Sequence, residues 1–102
     1  MSTATAADAA SAAPAAASAE SSTAEALDTL RGQIDALDLA ITRLVAERTR
    51  LSRRAQQIRI SAGGTRVELG RERVIMQSYR AALGADGQNL AEAVLRVGRG
   101  QR

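Results

Sequence analysis

From Leu27 onward the chain places large apolar residues at alternating steps of three and four: Leu27, Leu30, Ile34, Leu37, Ile41 and Leu44, then Leu51 and Ile58, with Arg48 and Ala55 at the two remaining positions. That spacing is the seam of an amphipathic α-helix held over about four heptads. No proline interrupts it, Gly32 is its one weak interior residue, and Gly63-Gly64 stands where it should stop. Some 33 residues at ~1.5 Å each make a rod of roughly 50 Å, whereas a compact domain of about 78 residues is only some 30 Å across. Such a rod overhangs anything its own chain can build around it. A lone helix exposing the seam would aggregate, so a second copy is the expected cover and an intertwined homodimer the expected assembly.

The rest of the chain predicts two shorter helices and no strand. Arg66–Leu83 reads as a medium helix with Val67, Arg71, Val74, Ile75, Met76 and Tyr79 along its inner side. A Gly84-Ala85-Asp86-Gly87 loop follows, and Asn89 is placed to cap a short third helix with Glu92 as reciprocal partner. Leu90, Val94, Leu95 and Val97 form its apolar face, and Gly98-Arg99-Gly100 is expected to dissolve it. The fold class is therefore all-α, with one long, one medium and one short helix per chain.

Residues 1–24 are almost entirely Ala, Ser and Thr, with Pro14 in their midst. They offer no large apolar side chain beyond Met1, cannot offset their ordering entropy, and are expected to be a disordered tail preceding a folded domain at 25–102. They lack the basic start and Leu-rich run of a signal peptide, and no stretch approaches a membrane span, so a cytoplasmic location is expected.

Composition narrows the chemistry. The chain has no Cys, His, Trp or Phe, one Tyr, and fourteen basic residues that are all arginine. This leaves no thiol nucleophile, imidazole base, Cys/His metal site or Schiff-base lysine. All the arginines and nine of the eleven acids lie in 25–102, so that segment carries a formal +5 against +3 for the whole chain. An acidic partner or anionic ligand is implied. The scarcity of aromatics argues against nucleic acid.

Arg48 is the informative exception in the seam. A guanidinium facing a packed interior is costly unless an anion meets it there. A structural ion pair or an outward-snorkelling side chain is the alternative. Arg31, Arg48, Arg59, Arg66 and Arg71 all lie on or beside inner faces. Arg48 and Arg59 are about 16 Å apart along the axis and can grip the two ends of one small doubly charged molecule. Arg31, about 26 Å from Arg48, can reach that ligand only from a second subunit. Such a cage suits a dicarboxylate, which arginine binds bidentately. Glu72 adds an acceptor for a substrate hydroxyl.

The stretches LRGQIDALDLAITRLVAERTRLSRRAQQIRISAGGTR, GRERVI and LRVGRG resemble the all-helical chorismate mutases, and more narrowly their short actinobacterial subclass. The resemblance covers about residues 27–100. It implies an isomerase that rearranges chorismate to prephenate by a pericyclic [3,3] shift in phenylalanine and tyrosine biosynthesis. No cofactor or metal is needed, and each long helix of a homodimer serves both sites. By position, Arg31 reaches a substrate carboxylate from the partner subunit and Arg48 binds one within its own. Arg59 matches the cation beside the ether oxygen and is the expected main electrostatic catalyst. Arg71 supports a carboxylate and Glu72 accepts from the ring hydroxyl, although a helix-surface Arg71–Glu72 pair is an alternative. Glu68 falls where family members approach that hydroxyl through backbone, leaving its side chain a secondary candidate.

The family's third-helix glutamine finds no match in GRGQR; Gln101 is a tempting but unaligned substitute. The subclass implies an activating complex with DAHP synthase, for which the exposed C-terminus around Gly98, Arg99 and Gly100 is the expected contact, Arg99 ordering on binding. Two other functions remain open: an isochorismate-pyruvate lyase on the same fold, and a non-enzymatic arginine-rich dimer binding nucleic acid or an acidic protein. The last would act through Arg43, Arg50, Arg53, Arg54 and Arg73.

Overall fold

A helix that takes in the last thirteen residues of the predicted tail is the first departure from expectation. The structure, a computed structural model, describes residues 12–65 and 67–100. Its first helix, α1, runs Ala12–Ser61; α2 is Leu69–Leu83 and α3 is Ala85–Arg99. Among the described residues there is no strand. The expectation for residues 1–11, and everything about Arg66 and Gln101, lies outside the described residues.

Residues 12–24, part of the stretch expected to be a tail, are helical. The physical reason is propagation. Once a long helix is nucleated, each further alanine adds a backbone hydrogen bond at little entropic cost. Pro14 falls in the first turn, where its missing N–H has no intrahelical acceptor to lose.

The chain divides after Ala40 into two units. In the first, the side chains of residues 16–39 are all exposed, apolar seam included. In the second, residues 41–102, the C-terminal part of α1 is joined by an α2–α3 hairpin. The seam stays uncovered here too: Ile41, Leu44, Leu51 and Ile58 are 54–67% exposed.

α1 ends as its glycines demand. Gly63 takes φ 89°, the Gly64 amide donates to the Arg59 carbonyl at 2.7 Å, and the Gly63 amide to that of Ile60 at 3.0 Å. This pair of bonds is the Schellman cap of a helix C-terminus. α2 starts at Leu69, three residues later than predicted, after Glu68 in extended conformation.

The expected four-residue loop between the last two helices shrinks to one residue. Gly84, at φ 85° and ψ −164°, both ends α2 and begins α3. Asn89 therefore lies inside α3 and caps nothing, a correction that follows from Gly84 alone providing the reversal. The hairpin is tight: a β-carbon at Gly87 would collide with the Tyr79 carbonyl oxygen. Along α3, Gly87, Ala91, Val94, Leu95 and Gly98 are buried, whereas Leu90 and Val97 remain half exposed. α3 also does not dissolve at Gly98. It continues through Arg99 and stops at Gly100, φ 84°.

Among the described residues, no helix is long and apolar enough to cross a membrane.

Candidate active site

One face of α1 presents Arg48, Ser52, Gln56 and Arg59 at steps of four, four and three, the period that brings side chains into line on a helix. With Leu51 and Ala55 they form one wall of a cavity of about 280 Å³. α2 contributes Arg71, Glu72 and Ile75, the residue before it Glu68, and α3 contributes Leu95 and Arg99. This is close to the lower end of sizes usual for small-molecule sites. Four arginines and two glutamates line it, a formal surplus of two positive charges that matches a dianion.

The charges are arranged in two pairs and two arginines that make no ion pair among the described residues. Arg99 Nη1 donates to both carboxylate oxygens of Glu72 at 2.8 Å, with Glu72 largely buried. Arg59 Nε donates to the Thr65 carbonyl at 3.1 Å and lies 3.9 Å from Glu68 Oε2. Its own carbonyl receives the Gly64 amide, so the loop after α1 holds this residue at both backbone and side chain. Arg48, half-buried, and Arg71, exposed, are the two without an ion pair. The arrangement can hold two carboxylates at separate arginines, while the paired Arg59 and Arg99 stay oriented by their neighbours.

The structure brings together Arg48, Arg59, Glu68, Arg71 and Glu72, five of the residues expected to form the site. Arg31 lies in the other unit of the chain, exposed on α1.

The expected C-terminal tail is corrected. Gly98 is buried against Ser52, and Arg99 is already ordered, lining the cavity, because Glu72 offers it a carboxylate. Gly100 is the C-cap of α3, beside the Arg53 guanidinium.

Sequence reasoning passed over Gln56, whose amide is buried and donates to the Gly98 carbonyl at 3.1 Å. The signal was available, since Gln56 is a polar residue in helical step with both Arg48 and Arg59.

Comparison with known proteins completes the assignment. The profile of the family "Chorismate mutase type II" matches residues 30–97. An intracellular chorismate mutase of Mycolicibacterium smegmatis is 40% identical over 75 residues, spanning 74% of this chain and 72% of that protein. Its Mycobacterium tuberculosis counterpart is 43% identical over 75 residues, spanning 74% and 70%. Among solved structures, a chain from the non-covalent complex of DAHP synthase and chorismate mutase of Corynebacterium glutamicum, with bound transition state analogue, superposes with TM-score 0.73. That match has 38% identity and covers 79% of this chain and 96% of that one.

A helical, arginine-lined pocket for a small dianion is thus the class of site. The chain belongs to the type II, all-helical chorismate mutase family, and the relatives named above are actinobacterial.

Proposed function

We propose that the cavity between Arg48, Arg59 and the Arg99–Glu72 pair is where this chain, as a chorismate mutase, rearranges chorismate to prephenate. The observation that carries the reading is the +2 surplus of the cavity, facing a substrate with two carboxylates. In the rearrangement one carbon–oxygen ether bond breaks as one carbon–carbon bond forms within the same molecule. No proton, electron or group enters or leaves. The protein's task is to hold the enolpyruvyl arm over the ring and to place positive charge where the ether oxygen gains electron density.

In this reading Arg48 binds one carboxylate and Arg71 supports the other, joined by Arg31 from a second copy of the chain. Arg59 faces the ether oxygen, its guanidinium aimed by the Thr65 carbonyl. Glu72 accepts from the ring hydroxyl through lone pairs that Arg99 leaves available, with Glu68 at the rim.

The homodimer belongs to the same proposal. It is supported by the seam from Leu27 to Ile58, whose large apolar side chains are all exposed in the single chain. An intracellular location is supported by the mycobacterial relatives' names. A complex with a DAHP synthase is supported by the Corynebacterium structure. In this reading its contact is the C-terminal end of α3, where Val97 is exposed next to the buried Gly98.

The test is loss of chorismate absorbance on adding purified protein, alone and with a DAHP synthase. Turnover to prephenate is expected in at least the second condition. Its absence in both would overturn the proposed reaction.

A further inference from the structure

The last turn of α3 is held from α1 by more than packing. The final carbonyls of a helix have no intrahelical donor, and Gly98 supplies one of them. The Gln56 amide, on α1, donates to it at 3.1 Å from a buried position. A buried amide is costly unless satisfied, so this bond favours one placement of the turn. The fit leaves little slack: a β-carbon at Gly98 would lie 3.2 Å from Ser52 Oγ and 3.6 Å from Arg48 Nη1. The next residue in the same turn is Arg99, whose guanidinium chelates Glu72 across the cavity.

We propose that Gln56 is a positioning residue of the site: by fixing the Gly98 carbonyl it sets where Arg99 meets Glu72, and through that pair where the Glu72 carboxylate faces the substrate. The proposal rests on the mutase reading above and adds a residue to it. Gln56 acts through Arg99, so its effect on turnover must vanish once Arg99 is gone.

The experiment uses the full chain as wild type, Gln56→Met, Arg99→Ala and the double variant. Met keeps the length of Gln and lacks the donor. Steady-state kinetics with chorismate is accompanied by NMR of the arginine side chains and by circular dichroism. Gln56→Met is expected to lower kcat/KM about tenfold, the scale of one lost hydrogen bond in a dry site. Arg99→Ala is expected to lose at least as much, and the double variant no more than Arg99→Ala alone. The Arg99 guanidinium signals, slowed by the Glu72 chelate in wild type, should broaden in Gln56→Met while helicity stays constant. Multiplying losses in the double variant, or unchanged Arg99 signals in Gln56→Met, would overturn the proposal. Absence of chorismate turnover by wild type would instead remove the mutase reading, and the NMR arm would still decide whether Gln56 positions Arg99.

Discussion

Two arginines on one helix face have different expected roles, and kinetics can separate them. Arg59 is held by Thr65 and the Gly64 amide, so it delivers a cation of fixed direction. Preorganised charge of this kind acts mainly in the transition state. Arg59→Ala should therefore lower kcat by about 10²–10³. Arg48 makes no ion pair among the described residues and lines the cavity, so its loss removes binding common to substrate and transition state. Arg48→Ala should raise KM more than it lowers kcat, and stopped-flow or steady-state absorbance with chorismate reads both. Arg48 was legible in the sequence as a charge in an apolar seam. The pairing of Arg99 with Glu72 was not legible, because the two are 27 residues apart and are brought together only by the hairpin.

The α2–α3 hairpin is where local sequence rules were least informative. Gly84 looks like one residue of a loop, yet its positive φ alone turns the chain, and Ala85-Asp86-Gly87 begins a helix. The close approach that makes this possible, Gly87 against Tyr79, is a tertiary fact with no local signature. Gly87→Ala should consequently destabilise the chain by about 1–3 kcal/mol through overpacking against backbone. Denaturant unfolding followed by circular dichroism gives the value, and an unchanged midpoint would contradict the packing described. α1 was readable for the opposite reason: its seam repeats, and Gly63-Gly64 are in the sequence where the cap occurs. Only its beginning was missed, because alanine needs no tertiary partner to extend an existing helix.

For the molecule as a whole, the seam is a prediction about assembly. Leu37 and Leu44 are 63% and 67% exposed in the single chain. Leu37→Glu should shift the sedimentation profile from dimer to monomer and, if Arg31 works from a second copy, abolish turnover along with it. Specific activity of the unaltered protein should likewise fall on dilution, whereas a monomeric enzyme would hold it constant. The helical architecture was evident from periodicity, and of the arginines that line the cavity Arg48, Arg59 and Arg71 were named from charge and resemblance while Arg99 was not. What no single-chain pattern could supply was the way one turn of α3 fastens to both of the other helices.

The link after α1 offers a last consequence. Surface connections are the usual places where a chain accepts foreign sequence, and Gly63-Gly64-Thr65 is exposed and glycine-rich. Yet the Gly64 amide and the Thr65 carbonyl grip Arg59 from two directions. For anyone splicing a domain or a sensor into this protein, the most inviting opening is the one that would let Arg59 swing loose.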